Sequence, residues 1–232
     1  MLYSGLVLAI PHSVSKPADL DWTSDQSVMA EVVRWTDWHT DKLFGDALDD
    51  TRVIPVLSKM SRFDCDCERL EHEQDRINRF RLVNKDLRAP LVPEAHSCNR
   101  RLAEWFRFRF RLMEAVSLCG PCPIIIDCHS FPPDIDPAVD VCIGFNEDAT
   151  KPPQEVLDAV AAIFRDKGYA VEFNRPYSNS IAPVGYVGHS IMIEVSKRSY
   201  LADVSAIDVA KFNRLQQTIR SVFSLLLSAR AI

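Results

Sequence analysis

Six short apolar runs, separated by stretches of helical periodicity, restrict the folds open to this chain. The runs are Leu6–Ile10, Arg52–Leu57, Ile124–Cys128, Val139–Ile143, Ala170–Phe173 and Ile191–Val195. Several are continuously apolar rather than alternating, as in strands covered on both faces. Helical spacing marks Ser27–Arg34, Thr40–Leu48, Arg101–Leu118, Gln154–Lys167 and Ile207–Ala229. The clearest helix is Gln154–Lys167: Pro152 and Pro153 open it, Val156, Val160 and Phe164 recur four apart, and Gly168 closes it. Strands alternating with helices predict an α/β fold, a single domain whose mostly parallel mixed sheet is flanked by helices on both faces. At 232 residues and 47% hydrophobic, the chain can bury one core without disulfides or structural metals. Residues 58–100 are the least regular part and predict an insert in that domain.

Ionisable residues gather where the apolar runs end. The first leads into Pro11-His12-Ser13, and the third runs through Asp127-Cys128-His129-Ser130. The fifth leads into Asn174-Arg175-Pro176-Tyr177, while the sixth contains Glu194 and is followed by Lys197-Arg198-Ser199-Tyr200. In open α/β sheets ligands bind outside the carboxyl ends of strands, so a parallel sheet would bring these segments to one rim. Two histidines at two strand ends, with carboxylates at hand, point to a metal site. Imidazole and carboxylate suit zinc, and also iron, manganese or cobalt. Asp37, His39 and Asp41 are alternatives for a third ligand, Asp37 lying between Trp35 and Trp38. Glu194 is an acid inside an apolar strand, a placement that rarely occurs without a partner or a task.

Other functions fit less well. The apolar run near the start, Gly5 to Pro11, is far short of a bilayer span and has no basic residue before it or cleavage pattern after it. A cytoplasmic protein without membrane association is expected. Net charge is −5, which disfavours nucleic-acid binding. The run Arg107-Phe108-Arg109-Phe110-Arg111 is better explained as a helix with one packed stripe and a solvated basic edge than as a base-stacking surface. The seven cysteines are an odd count, consistent with free thiols. Cys119-Gly120-Pro121-Cys122 has redox-dithiol spacing, but a helix precedes it and a strand follows, the reverse of the thioredoxin order. A zinc site from Cys65, Cys67, Cys119 and Cys122 would need an atypical Cys-x-Cys half.

The sequence resembles the N-formylglutamate amidohydrolases. The resemblance rests on Pro11-His12-Ser13, on Thr36-Asp37-Trp38-His39 with Asp41 and Leu43, and on Ser61-Arg62-Phe63 with Asp66 and Arg69. It continues through Asp127-Cys128-His129-Ser130, Gly144, Asn174-Arg175-Pro176-Tyr177, Ile193-Glu194 and Tyr200-Leu201, in order from residue 8 to residue 201. It implies a carboxypeptidase-like (phosphorylase/hydrolase-like) α/β fold and a divalent metal, zinc first, on His12, an acid near Asp37, and His129. It also implies Glu194 as general base, and Arg62 and Arg69 as grips on substrate carboxylates. One departure concerns the substrate: Glu68 stands in Asp66-Cys67-Glu68-Arg69 where the family often carries Asn.

Together these readings predict metal-assisted hydrolysis of an N-acyl amino acid, a small-molecule substrate, with N-formyl-L-glutamate as first guess. Arg62 would assist at the oxyanion, Arg69 with Arg198 or Arg175 would hold a carboxylate, and Asn174 and Tyr177 would orient the substrate. Asp127 or Asp66 would hold a histidine N–H. The alternatives are a metallopeptidase-type amidase on the same framework and a non-catalytic carboxylate-binding descendant of the fold.

Overall fold

The computed structural model describes residues 3–14, 26–63, 65–69 and 95–228. Its centre is a pair of long parallel strands, β3 (Pro123–Phe131) and β6 (His189–Ser196). The remaining strands are β1 (Gly5–Ile10), β2 (Val53–Leu57), β4 (Val141–Gly144) and β5 (Val171–Phe173). They form one sheet in the order β2-β1-β3-β6-β4-β5. The helices are α1 (Gln26–Trp35), α2 (Thr40–Gly45), α3 (Ala95–Leu118), α4 (Gln154–Asp166) and α5 (Val209–Ser228). The predicted single α/β domain with a mostly parallel sheet is the fold observed.

Side-chain alternation along the strands divides the interior in two. One face carries Leu6, Leu8 and Ile10 of β1, Ile124, Ile126 and Cys128 of β3, and Ile191, Ile193 and Val195 of β6. It is covered by Leu43 and Phe44 of α2, Val160 and Phe164 of α4, and Ile219 and Phe223 of α5. The other face carries Val7, Ala9 and Ile125 under Trp105, Phe108 and Leu112 of α3. Burying each large side chain contributes ~1.5–3 kcal/mol.

Strand direction differs from the simple expectation. β1, β2, β3 and β6 are mutually parallel, but β4 is antiparallel to β6 and β5 follows β4. The segment after β5 therefore emerges at the opposite rim from His12. It returns across the sheet, where Tyr177 O accepts from Cys142 Sγ at 3.2 Å and Ile181 N donates to Asp127 Oδ2 at 2.8 Å. Gly144 permits this crossing: a Cβ there would collide with Met192 and lie 2.6 Å from Asn179 O.

Boundaries moved where local signals were weak. Helix α3 begins at Ala95, six residues before the expected Arg101, and α2 ends at Gly45 rather than Leu48. Helix α5 starts after Ile207, which forms an isolated bridge to Leu201. The expected insert at 58–100 falls partly on residues 70–94, outside the described residues. Among the described residues, no helix is long and apolar enough to cross a membrane.

Candidate active site

Three elements deliver the centre of the site. His12 follows β1 after Pro11, and His129 lies inside β3 on the same face as Asp127 two residues earlier. Asp37 comes from the turn after α1, which Thr36 N closes onto Val32 O. All three are buried. Ser130 N donates to Asp37 Oδ2 at 3.2 Å. The same oxygen lies 3.2 Å from His129 Nδ1 and 3.6 Å from His12 Nδ1. The two imidazole centroids are 5.0 Å apart.

Each imidazole is held from behind. His12 Nε2 is 2.7 Å from Asp66 Oδ1, and His129 Nε2 is 2.9 Å from Asp127 Oδ1. Those carboxylates fix the tautomer, leaving both Nδ1 atoms turned toward Asp37. His12 Nδ1 and Asp37 Oδ1 are buried without a hydrogen-bond partner. Ligand atoms of His12, Asp37 and His129 all lie within 4.8 Å of one another, so the trio could hold a metal ion. A divalent cation fits this place: it would satisfy the orphaned nitrogen and oxygen, and the donor set suits zinc. Two further groupings, His12 with Asp66 and Glu68, and Glu68 with Asp127 and His129, also meet that spacing. In the first trio, coordination through the Nδ1 atoms would leave the imidazole–carboxylate contacts at Nε2 intact.

Electrostatics match the geometry. Burial opposes charge on Asp37, but the nearby His12 and His129 imidazoles and the Arg62 charge hold its carboxyl well below the usual range. Burial likewise opposes protonation of His129, yet the Asp127 and Glu68 charges and the hydrogen bonds to Asp127 and Asp37 together outweigh it and raise the imidazole. Glu194 is the counterexample. It pairs in register with His129 on one side and Cys142 on the other, facing the same cleft. Burial pushes its carboxyl up to about 8; His129 pulls down, while Asp37 and Glu68 push further up. Arg62 Nη1 lies 3.5 Å from Asp37 Oδ1 and its Nη2 3.8 Å from Asp66 Oδ2.

The other expected residues divide. Arg69 reaches Asp66, with Nε 3.5 Å from Oδ2, and its side chain is half exposed. Tyr177 packs edge-on to Phe131, and burial raises its phenol to about 12, with Glu194 the next contributor. Asn174 sits apart from the histidines in a left-handed turn, its Oδ1 accepting from Phe145 N at 2.9 Å. That follows from the reversed direction of β5. The Arg198 guanidinium is taken up by Asp140 Oδ1 at 2.9 Å and by the carbonyls of Pro137 and Val139. Arg175 Nε pairs with Asp136 Oδ2 at 2.8 Å. His39 adopts φ 60° and its Nε2 contacts Ser205 O at 2.9 Å, while Asp41 sits in the first turn of α2. Neither joins a metal-capable grouping among the described residues, and no cysteine does.

Two residues named from the sequence without a role also contribute. Lys197 is buried, donates from Nζ to Arg34 O, and is lowered to about 8 by burial. Tyr200 is fully buried, donates from Oη to Trp38 O at 2.7 Å, and lies 3.0 Å from Ser130 Oγ. Both tie the segment after β6 to the turn that carries Asp37. The available signal was a lysine and a tyrosine just beyond an acid-bearing apolar strand.

A sequence profile described as N-formylglutamate amidohydrolase matches residues 4–201. The chain belongs to the N-formylglutamate amidohydrolase family. It is therefore an amidohydrolase-type enzyme by descent. Its fold is shared with a solved N-formylglutamate amidohydrolase from Ralstonia eutropha JMP134, at TM-score 0.74 and 20% identity over 97% of this chain and 93% of that one. A gene product from Agrobacterium tumefaciens is also similar, at TM-score 0.69 and 16% identity over 97% and 92% of the two chains. No curated protein sequence matches the chain.

Proposed function

We propose that the protein is a metal-dependent amidohydrolase of N-acyl amino acids acting in the cytoplasm, with N-formyl-L-glutamate as the first substrate to assay. One observation carries this reading. Two imidazoles and a carboxylate, from distant parts of the chain, bring ligand atoms to one point, with His12 Nδ1 and Asp37 Oδ1 left without hydrogen bonds and each imidazole braced by an acid. A divalent metal, zinc first, held by His12 Nδ1, His129 Nδ1 and Asp37, would polarise the amide carbonyl and make water a nucleophile near neutral pH.

The protein's own groups do the rest. Glu194 takes a proton from the attacking water and returns it to the leaving nitrogen; a carboxyl raised to about 8 is suited to both transfers. A bound cation would lower that value again. The Arg62 guanidinium, beside Asp37, donates to the oxygen that gains charge at the scissile carbonyl. Arg69, at the exposed edge of the cluster, grips a substrate carboxylate through its planar fork. Tyr177, against Phe131, orients the substrate from the far side.

The test combines metal analysis of protein purified without chelator with a panel of N-formyl and N-acetyl amino acids. One equivalent of divalent metal and hydrolysis of at least one N-acyl amino acid are expected, with both lost in His129→Ala. Unchanged metal stoichiometry in His129→Ala would refute the ligand assignment, and a metal-loaded protein that cleaves no member of the panel would refute the reaction.

A further inference from the structure

Glu68 stands apart from the other acids of the cluster. Asp37, Asp66 and Asp127 are each committed to a histidine, and Glu194 is buried between strands. The Glu68 side chain is 37% exposed, and its nearest charged partner is His12, with Oε2 3.8 Å from Nε2. Among the described residues no lysine or arginine lies within ion-pair distance of its carboxylate. Arg109 bonds the Glu68 backbone oxygen at 2.8 Å instead. The charge of Glu68 nevertheless contributes at Arg62, His129, Glu194 and Arg109. It is therefore a partly exposed negative charge, felt by Arg62 and Arg109 but held in no direct pair with an arginine or lysine among the described residues, and directly beside Arg69 in the chain.

We infer that Glu68 sets the substrate class, favouring N-acyl amino acids with one carboxylate and a neutral or cationic side chain over dicarboxylates. This inference rests on the amidohydrolase reading and narrows it. A substrate with one carboxylate can place that group on Arg69. A second carboxylate brought into the same mouth has to lie in the field of Glu68, whereas an ammonium group there meets a carboxylate that lacks a strong partner. Like-charge contacts of this kind act mainly as discrimination.

The experiment compares kcat/KM for N-formyl-L-glutamate, N-formyl-L-methionine and N-formyl-L-lysine in wild type and Glu68→Gln, at low and high salt, with metal content measured in both. Wild type should prefer the neutral and cationic substrates by on the order of tenfold. Glu68→Gln should close that gap, and added salt should shrink it in wild type alone. Binding of glutamate, methionine and lysine to both proteins by calorimetry gives a second readout that needs no turnover. A wild-type preference for N-formyl-L-glutamate, an equal effect of Glu68→Gln on all three ligands, or loss of metal from Glu68→Gln would each overturn the inference. Absence of hydrolysis from a metal-loaded protein would strike the amidohydrolase reading, while the calorimetric ratios would still decide the role of Glu68.

Discussion

The two faces of the β3–β6 ribbon are built from the same eight paired positions and serve opposite ends. On one, Ile126, Cys128, Ile191, Ile193 and Val195 are sealed beneath α2, α4 and α5. On the other, Asp127, His129 and Glu194 are just as deeply buried, yet carry ionisable groups. The apolar face gains free energy from burial. The polar face loses it, and recovers it only where each charged group finds a partner. Asp127 and His129 find one another, while Glu194 has no hydrogen-bonded partner among the described residues and answers with a raised pKa. Stability and chemistry are thus separated by a one-residue alternation.

The comparison can be broken most forcefully at Glu194. Glu194→Gln should cut kcat by ~10³ with metal content unchanged, as read by steady-state assay and metal analysis. The same change should stabilise the metal-free protein at high pH. A carboxyl raised from 4.5 to about 8 in the fold imposes no ionisation cost below the lower value; the cost accrues as pH rises from the lower value to the upper and is complete above it. Melting curves at pH 5 and pH 9 should therefore diverge for wild type and much less for Glu194→Gln.

A cavity on the sealed face should do the reverse. Ile193→Ala is expected to cost ~2–4 kcal/mol in denaturant unfolding while leaving kcat within about twofold. A large rate loss there would show that the faces are coupled. Smaller again is Lys197→Met, which frees Arg34 O and loosens the Asp37 turn. About tenfold weaker metal retention in a chelator competition, with little change in unfolding free energy, would mark Lys197 as a positioning residue. The smallest effect belongs to Cys122→Ser, a partly buried side chain at the edge of the apolar core. It should shift stability by under ~0.5 kcal/mol, and activity should be equal in peroxide-treated and reduced samples.

Much of this was legible before the structure. Six largely apolar segments located six strands, because a predominance of hydrophobic residues is what a doubly covered strand requires. Asp127 and Asp66 were both foreseen as holders of a histidine N–H, and Asp127 takes His129 while Asp66 takes His12. Strand direction was not legible: the apolar content of Val139–Ile143 and Ala170–Phe173 is the same whichever way the strands run, so Asn174 was assigned to the wrong rim. Which of Asp37, His39 and Asp41 lies beside the two histidines depends on local turns, such as the left-handed one at His39, that residue spacing does not encode. Asp66 reaches His12 through an irregular loop, beyond any periodic rule. The pairing of Arg198 with Asp140, distant in sequence, was equally beyond any local pattern.

Both imidazoles are anchored to strands, whereas Asp37 hangs from the end of a helix. That division offers a handle for engineering. Lengthening or shortening the Thr36–Trp38 connection would change the span between oxygen and nitrogen donors, and so retune the scaffold for a larger or smaller ion without altering a single strand.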